Sequence, residues 1–424
     1  MTNMPFTPAD QFFMQYALEL AARGRFTTHP NPNVGCVIVA AEQVDLSAGP
    51  QQWRDCIVGA GFHERAGGPH AEVFALRAAG DRARGATAYV TLEPCSHHGR
   101  TPPCAEALLK AAVGRVVVAM QDPFPAVSGR GIELLRNAGI QVDVGLLSDE
   151  AFAVSAAFFT KVAKQRPFVQ VKLAASMDGK TALASGESKW ITSPQARRDV
   201  QVGRAQAGAI LSGAGTVLAD DPSLNVRVEE FPADVLYFQE QPQAEQLRGS
   251  EHLDPALKKS MQAFAPQTGV APKHVRQPLR VIIDHRGEIS PQARIFQDQN
   301  PVWIVRTQAL DVALPAHAQE IIVAAGADGK VSLPALLEKL ATANILSVWV
   351  ESGARLAGAL LDANLVDELI LYQAPKFLGS GAKELLTMTG PTKMAAVQEW
   401  QVVACQQVGP DLKITMRPDG ALAK

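Results

Sequence analysis

One stretch constrains this chain more than any other. His70-Ala-Glu72 is followed by a strand, then by Pro94-Cys95 and a second cysteine, Cys104. Together they offer an imidazole, a carboxylate and two thiols, the groups of a hydrolytic zinc site with a proton shuttle beside it. Three protein ligands leave zinc's fourth position open for water, which separates a catalytic site from a structural one. The flanking sequence asks for an α/β frame. His70 and Glu72 read as the first turn of a helix ending at Ala79 and stopped by Gly80, where outward-facing amides tolerate an anion. Cys95 lies just beyond a strand, Ala88 to Leu92, and Cys104 follows Pro102-Pro103 at another helix start, where a thiol's pKa is lowered as ligation requires.

Around this stretch the first half alternates strand and helix. Thr7-Pro8-Ala9-Asp10 reads as a capped helix start, and His29-Pro-Asn31-Pro-Asn33 as a stiff turn into the strand Cys36–Val39. Residues 41–59 show no strong periodicity and read as a surface excursion. Strand 115–120, helix 131–138 and strand 140–144 complete a layered α/β domain that closes near residue 148. At 424 residues two domains are expected, with a connecting helix over 149–166 whose Phe152, Phe158 and Phe159 need an apolar surface.

Composition narrows the function classes. A hydrophobic fraction of 47% with 19% charged residues describes a globular protein, and no apolar run nears the roughly 18 residues of a membrane span. The first ten residues lack a signal-peptide pattern and the five cysteines form no disulfide framework, so a cytoplasmic location is expected. A net charge of −2 argues against nucleic acid and for small molecules.

The run H-A-E, P-C and a further Cys resembles the cytidine deaminase superfamily, with eight residues between Cys95 and Cys104 in place of the usual two. With the insert S-H-H-G-R-T-P-P, and A-M-Q-D-P-F-P-A-V-S-G-R-G over 119–131, it resembles the deaminase domain of the bacterial riboflavin-biosynthesis family RibD. The resemblance implies a three-layer α/β/α domain over 1–148. It also implies His70, Cys95 and Cys104 as zinc ligands, Glu72 as the catalytic proton carrier, and Asn31, His97 and Arg100 as substrate contacts. Glu93 and His98 read as supporting or solvent groups.

In the second half, a strand from Phe168 to Ala174 runs into Ser176-Met-Asp178-Gly-Lys180. Ser193-Pro194 starts a helix bearing Arg197, Arg198 and Arg204. A strand over 209–212 leads to Gly213-Ala-Gly215-Thr216-Val-Leu-Ala-Asp220, and Leu346 to Glu351 is again strand, glycine turn, helix, suited to a pyrophosphate. The segments K-L-A-A-S-M-D-G-K, G-A-G-T-V-L-A-D-D-P and V-E-S-G-A-R-L resemble the riboflavin-specific reductase domain. That implies a dihydrofolate-reductase-like α/β fold over 167–424 using NADPH.

By the same resemblance Ala174, Trp190, Thr216, Asp220 and the turn Gly353, Ala354, Arg355, Leu356, Ala357, Gly358 and Ala359 contact NADPH. Ser188, Arg204, Leu224, Arg227 and Glu351 hold a phosphorylated pyrimidine substrate. Lys172 reads as a proton donor or a strand-edge lysine, and Arg306 as a reader of the 2′-phosphate or a surface arginine. Two stretches exceed the family pattern: 41–61, and a polar insertion over about 229–277 that reads as a flexible loop or oligomer contact. The whole implies zinc-dependent deamination of 2,5-diamino-6-(5-phosphoribosylamino)pyrimidin-4(3H)-one followed by NADPH-dependent reduction of its ribosyl group, in a homo-oligomer. A nucleic-acid base deaminase, or a ligand-binding protein without turnover, shares parts of the pattern. The near-neutral charge and the large cofactor-like second half count against the first; Glu72 counts against the second for the first half, while the second half has no equally decisive residue.

Overall fold

The computed structural model describes residues 6–96, 103–124, 128–232, 235 and 275–419, and they divide into two compact units, the first of residues up to 163 together with 235 and 275, the second of 164–232 and 276–419. His97, His98 and Arg100, and nearly all of the polar insertion, lie outside the described residues.

The first unit runs α1 (Pro8–Ala21), β1 (Gly35–Val39), α2 (Pro50–Asp55), β2 (Ile57–Phe62), α3 (Ala71–Ala79), β3 (Thr87–Val90), α4 (Cys104–Lys110), β4 (Arg115–Val118), α5 (Arg130–Asn137), β5 (Gln141–Val144), α6 (Ser148–Val154) and α7 (Ala156–Lys164). Its sheet has the order β2-β1-β3-β4-β5, antiparallel around β1 and parallel from β3 onward. The period-2 alternation of a strand buried on both faces builds three layers. Cys36 and Ile38 face one core with Ala75, Leu108 and Leu135 of α3, α4 and α5. Val37 and Val39 face the other with Phe13, Met14 and Ala151. Each such buried aliphatic contributes about 1.5–3 kcal/mol.

α1 starts as its sequence demands. Thr7 Oγ1 accepts from Asp10 N, and the Asp10 carboxylate accepts in return from Thr7 N at 2.8 Å. The same carboxylate takes the Tyr89 hydroxyl at 2.7 Å and Arg115 Nη1 at 2.6 Å, tying the helix to β3 and β4.

The excursion expected over 41–59 holds α2 and the first half of β2. The strand escaped notice because its inward positions are glycines. A Cβ on Gly59 would stand 2.2 Å from the Ala75 carbonyl oxygen, and one on Gly61 2.5 Å from Phe74 Cβ. α3 therefore packs directly on the β2 backbone, and an apolar alternation has no room to exist. The segment read as one helix over 149–166 is two. At Ser155 the backbone leaves helical geometry, and Ser155 Oγ instead accepts from Asn33 N and donates to Asn33 O, both at 3.0 Å.

The second unit runs β6 (Phe168–Ser176), β7 (Lys180–Ala182), α8 (Pro194–Gln206), β8 (Ala209–Gly213), α9 (Ala214–Asp220), β9 (Leu279–Ile283), β10 (Val302–Arg306), β11 (Ala318–Ile322), α10 (Leu333–Thr342), β12 (Ser347–Glu351), α11 (Ala354–Asp362), β13 (Glu368–Ala374), β14 (Lys383–Glu384), β15 (Trp400–Val408) and β16 (Asp411–Pro418). Nine strands form one sheet in the order β11-β10-β9-β8-β12-β6-β13-β16-β15. It is parallel through β13, with an antiparallel β15–β16 hairpin at the end. Val169, Val171, Val348 and Val350 face α10 and α11, while Ile210, Ile282, Trp349 and Tyr372 face α8. Parallel strands set their carboxyl ends on one edge, so β8, β12 and β6 deliver Gly213, Glu351 and Lys172 to neighbouring positions there.

Candidate active sites

In the first unit His70 is the residue capping α3, with extended backbone, and Glu72 lies in the first turn. Cys104 opens α4 after Pro103, and its backbone N–H donates to Cys95 Sγ at 3.3 Å. His70 Nδ1 is 3.6 Å from Cys95 Sγ and 3.3 Å from Cys104 Sγ, and the three donor atoms all lie within 4.8 Å of one another. A tetrahedral zinc, at about 2.3 Å from sulfur and 2.0 Å from nitrogen, holds such ligands about 3.5 Å apart. The donor set and its spacing fit that ion.

Glu72 is 3% exposed, and its Oε2 has no hydrogen-bond partner among the described residues. Burial, reinforced by the charge on Cys95, pushes its carboxyl up to about 7. The hydrogen bond with Cys104 holds the Cys95 thiol down to about 4, with His70 assisting and burial opposing. A buried carboxyl with an unused oxygen beside a thiolate-forming cluster is costly unless a cation and a proton-exchanging ligand use it.

Glu93 stands apart from this cluster. Its buried carboxylate accepts from the backbone N–H groups of Asp122, Gly129, Gly131 and Ile132 at 2.9–3.4 Å. It thereby fixes the start of α5 against the segment carrying Cys95.

Asn31 is placed through a residue that sequence reasoning missed. Its Nδ2 is 3.0 Å from His63 Nε2, while His63 Nδ1 is 3.0 Å from the Pro69 carbonyl. A carbonyl only accepts, so Nδ1 carries the proton and Nε2 accepts from the Asn31 amide. The His63 ring sits edge-on to His70, with centroids 5.5 Å apart. A lone histidine after an unrecognised strand carries no motif; only recognising β2 would have aimed it here.

In the second unit Arg204 and Glu351 meet in a bidentate ion pair, Nε to Oε1 at 2.5 Å and Nη2 to Oε2 at 2.8 Å. Arg204 Nη1 also donates to the Asn225 carbonyl, and Trp349 Nε1 to Glu351 Oε1. Burial alone would raise the Glu351 carboxyl, but Arg204 and then Lys172 hold it down to about 2. Lys172 stands opposite Glu351 in the β6–β12 register, and burial keeps its amine below the ordinary lysine value while Glu351 opposes that shift.

The remaining expected contacts separate. Gly353 caps α11 and lies exposed with Arg355, but Ala357 is in the core and a Cβ on Gly358 would stand 1.9 Å from the Thr387 carbonyl oxygen. Of the turn expected to meet a cofactor, the helix thus turns Ala357 and Gly358 inward, and Leu356 packs partly against the core. Thr216 and Asp220 lie on α9, half-buried and exposed, and Ala174 on β6 is half-buried. Trp190 is 62% exposed with the Arg197 guanidinium 4.2 Å from its ring centroid, and Ser188 is half-buried nearby in sequence. Leu224 puts its side chain in the core, leaving only its backbone to a ligand. Arg227 pairs with Glu230 at 2.6 Å. Arg306 is neither at the surface nor free for a 2′-phosphate: it is 1% exposed and bonds Asp284 and Glu320. A strand-end arginine reads as exposed until the acids facing it are placed.

Comparison with known proteins agrees with both halves. The family model described as cytidine and deoxycytidylate deaminase zinc-binding region matches residues 7–120, and that described as RibD C-terminal domain matches 167–414. The chain is 48% identical over 403 residues to riboflavin biosynthesis protein RibD of Escherichia coli, covering 95% of this chain and 98% of that protein. It is 45% identical to that of Haemophilus influenzae over 98% of this chain and all of that one. The solved structure of Acinetobacter baumannii RibD superposes with a TM-score of 0.75 at 39% identity, covering 97% of this chain and 99% of that one. The chain belongs to the RibD family, bifunctional enzymes of riboflavin biosynthesis that join a zinc-dependent deaminase to a nicotinamide-dependent reductase.

Proposed function

We propose that the first unit deaminates a diaminopyrimidinone ribosyl phosphate, with His70, Cys95 and Cys104 holding zinc and Glu72 carrying the proton. The observation that carries this reading is the buried Glu72 carboxyl with an unused oxygen beside the three-donor cluster. Zinc bound there supplies a Lewis acid that makes water nucleophilic near neutral pH. Glu72, buried beside the three donors, would accept a proton from the attacking water and hand it to the ring nitrogen and then to departing ammonia. His63 orients the Asn31 amide toward the substrate, and His97 and Arg100 complete its contacts. A relative from Thermotoga maritima, 31% identical over 97% of this chain, is described as a diaminohydroxyphosphoribosylaminopyrimidine deaminase and 5-amino-6-(5-phosphoribosylamino)uracil reductase, which supports this substrate.

The second unit reduces the ribosyl group of the deaminated product to ribityl, with NADPH as the nicotinamide cofactor supplying hydride. Gly353, Ala354 and Arg355 at the start of α11 receive the pyrophosphate, with Ala174, Trp190, Thr216 and Asp220 along the same cofactor. Ser188, Arg204, Arg227 and the Leu224 backbone hold the sugar phosphate, and Glu351 accepts from its hydroxyls. Lys172 gives a proton to the sugar oxygen as the ring opens. The enzyme works in the cytoplasm as a homo-oligomer; among the described residues no helix is long and apolar enough to cross a membrane.

The test replaces Glu72 by Gln and assays both half-reactions and metal content. Zinc should stay stoichiometric and NADPH oxidation on the deaminated substrate intact, while ammonia release drops by at least about 10³-fold. Undiminished ammonia release would remove Glu72 from the mechanism.

A further inference from the structure

We propose that Trp349 is a positioning residue of the reductase site: its indole N–H fixes the Glu351 carboxylate so that Oε2 alone is offered to the substrate sugar. The proposal deepens the reading under which Glu351 accepts from a sugar hydroxyl, and it rests on that reading.

Trp349 and Glu351 alternate along β12, so both side chains lie on the face that packs against α8. Gly203 and Arg204 are adjacent on α8 and meet them one to one. Arg204 takes the carboxylate through Nε and Nη2. Gly203 seats the indole ring: a Cβ there would stand 2.5 Å from Trp349 Cη2 and 2.7 Å from Cζ2 and Cζ3. Any larger side chain at that position would push the ring off its place. Glycine in a helix interior is otherwise a destabilising choice. Phenylalanine or leucine could occupy a core position on β12 with no polar atom to satisfy and no gap in the helix opposite. The pairing of this glycine with this tryptophan therefore points to the indole N–H as the reason for both.

Trp349 is 2% exposed, and among the described residues its Nε1 donates to Glu351 Oε1, at 3.0 Å. A carboxylate oxygen accepts about two hydrogen bonds. Oε1 is thus filled by Arg204 Nε and Trp349 Nε1, whereas Oε2 takes only Arg204 Nη2 among the described residues. The acceptor position left over belongs to Oε2, at the carboxyl edge where β6, β8 and β12 end. The Ser212 hydroxyl donates to the Glu351 carbonyl at 2.6 Å, so the backbone beneath is held as well.

The indole matters because Arg204 faces competing demands. Its Nε and one N–H of each terminal nitrogen go to Glu351 and the Asn225 carbonyl, which leaves the other terminal N–H groups for a phosphate. A phosphate drawing on the guanidinium loosens its hold on the carboxylate. The indole is neutral and buried, so the anion has no such pull on it, and Oε1 stays in place when substrate arrives.

The experiment follows NADPH oxidation on the deaminated substrate with the full-length chain. Trp349→Phe should raise KM by about ten-fold or more and hold kcat within about three-fold, because the loss falls on sugar binding common to ground and transition states. A tryptophan that served packing alone would give the opposite split, since a smaller folded fraction lowers the apparent kcat and leaves KM where it was. Should the phenylalanine variant fail to fold, benzothienylalanine introduced at position 349 keeps the bicyclic ring, replaces the N–H by sulfur, and is expected to raise KM in the same way. Calorimetry then measures binding of ribosyl analogues lacking the 2′- or the 3′-hydroxyl. Wild type and variant should bind equally the analogue that lacks the hydroxyl Oε2 accepts, and differ for the other. An unchanged KM on loss of the indole N–H, with KM raised in Glu351→Gln, overturns the role of Trp349 and leaves Glu351 on the sugar. An unchanged KM in Glu351→Gln overturns that reading of Glu351 and the inference with it. A gap between wild type and variant that persists for both analogues overturns the presentation of Oε2 to a hydroxyl.

Discussion

Replacing Glu351 by Gln keeps the side chain's shape and removes its charge from beneath Arg204. The carboxyl is held at about 2 against an ordinary 4.5, and at about 1.4 kcal/mol per pKa unit that difference corresponds to about 3 kcal/mol of folding stability. An independent route agrees. Both partners are nearly buried, at 10% and 13% side-chain exposure, and removing one member of such a pair costs about 3–5 kcal/mol because the other charge stays behind uncompensated. In calorimetry at pH 7 the transition of the second unit should fall by roughly 6–12 °C, taking about 2–4 °C per kcal/mol for a domain of this size. The transition of the first unit should not move. The pH dependence has a definite sign. Because the folded-state pKa is depressed, the stabilisation is present in full above about pH 4.5, fades as pH falls, and is gone below about pH 2. The gap between wild type and Glu351→Gln should close in acid along that course. A gap at pH 7 under about 1 kcal/mol would falsify the account, since desolvation would then cancel the attraction between the two groups.

A strong chelator should abolish ammonia release and leave NADPH oxidation on the deaminated substrate untouched, with zinc restoring the first; loss of both would break the assignment of the metal to the first unit. His63→Ala should raise the deaminase KM by about ten-fold or more while zinc content holds, because Asn31 loses the acceptor that orients it; an unchanged KM would detach that pair from the substrate. Gly59→Val should destabilise the first unit by about 3 kcal/mol or more, read as a lowered urea midpoint, since backbone at 2.2 Å cannot give way.

The parts of this molecule written as spacing were legible before any coordinates. His70, Cys95 and Cys104 converge because a helix start, a strand end and a second helix start each carry one donor atom, and all three elements announce themselves by caps, prolines and glycines. Arg306 and Leu224 were not legible, because the direction in which a strand-end or loop side chain points depends on partners such as Asp284 and Glu320 from distant sequence. β2 was hidden by the glycines that make it fit beneath α3. No strand was assigned after the one ending at Glu351, although β13 and the β15–β16 hairpin lie there. The even scatter of Gln and Val along it satisfies neither a buried nor a half-buried template.

Glu93 and its four backbone donors reach further than their distance from the ligands suggests. Gly131 donates to that carboxylate, and a Cβ there would stand 2.0 Å from the Pro94 carbonyl oxygen, one residue from Cys95. A cell carrying Gly131→Ala would therefore present as a riboflavin auxotroph of metal supply, relieved by zinc in the medium, although residue 131 touches no ligand. Screens that sort loss-of-function alleles by growth with and without added zinc would group this glycine with the metal site, and a map of contacts to the ion would leave it out.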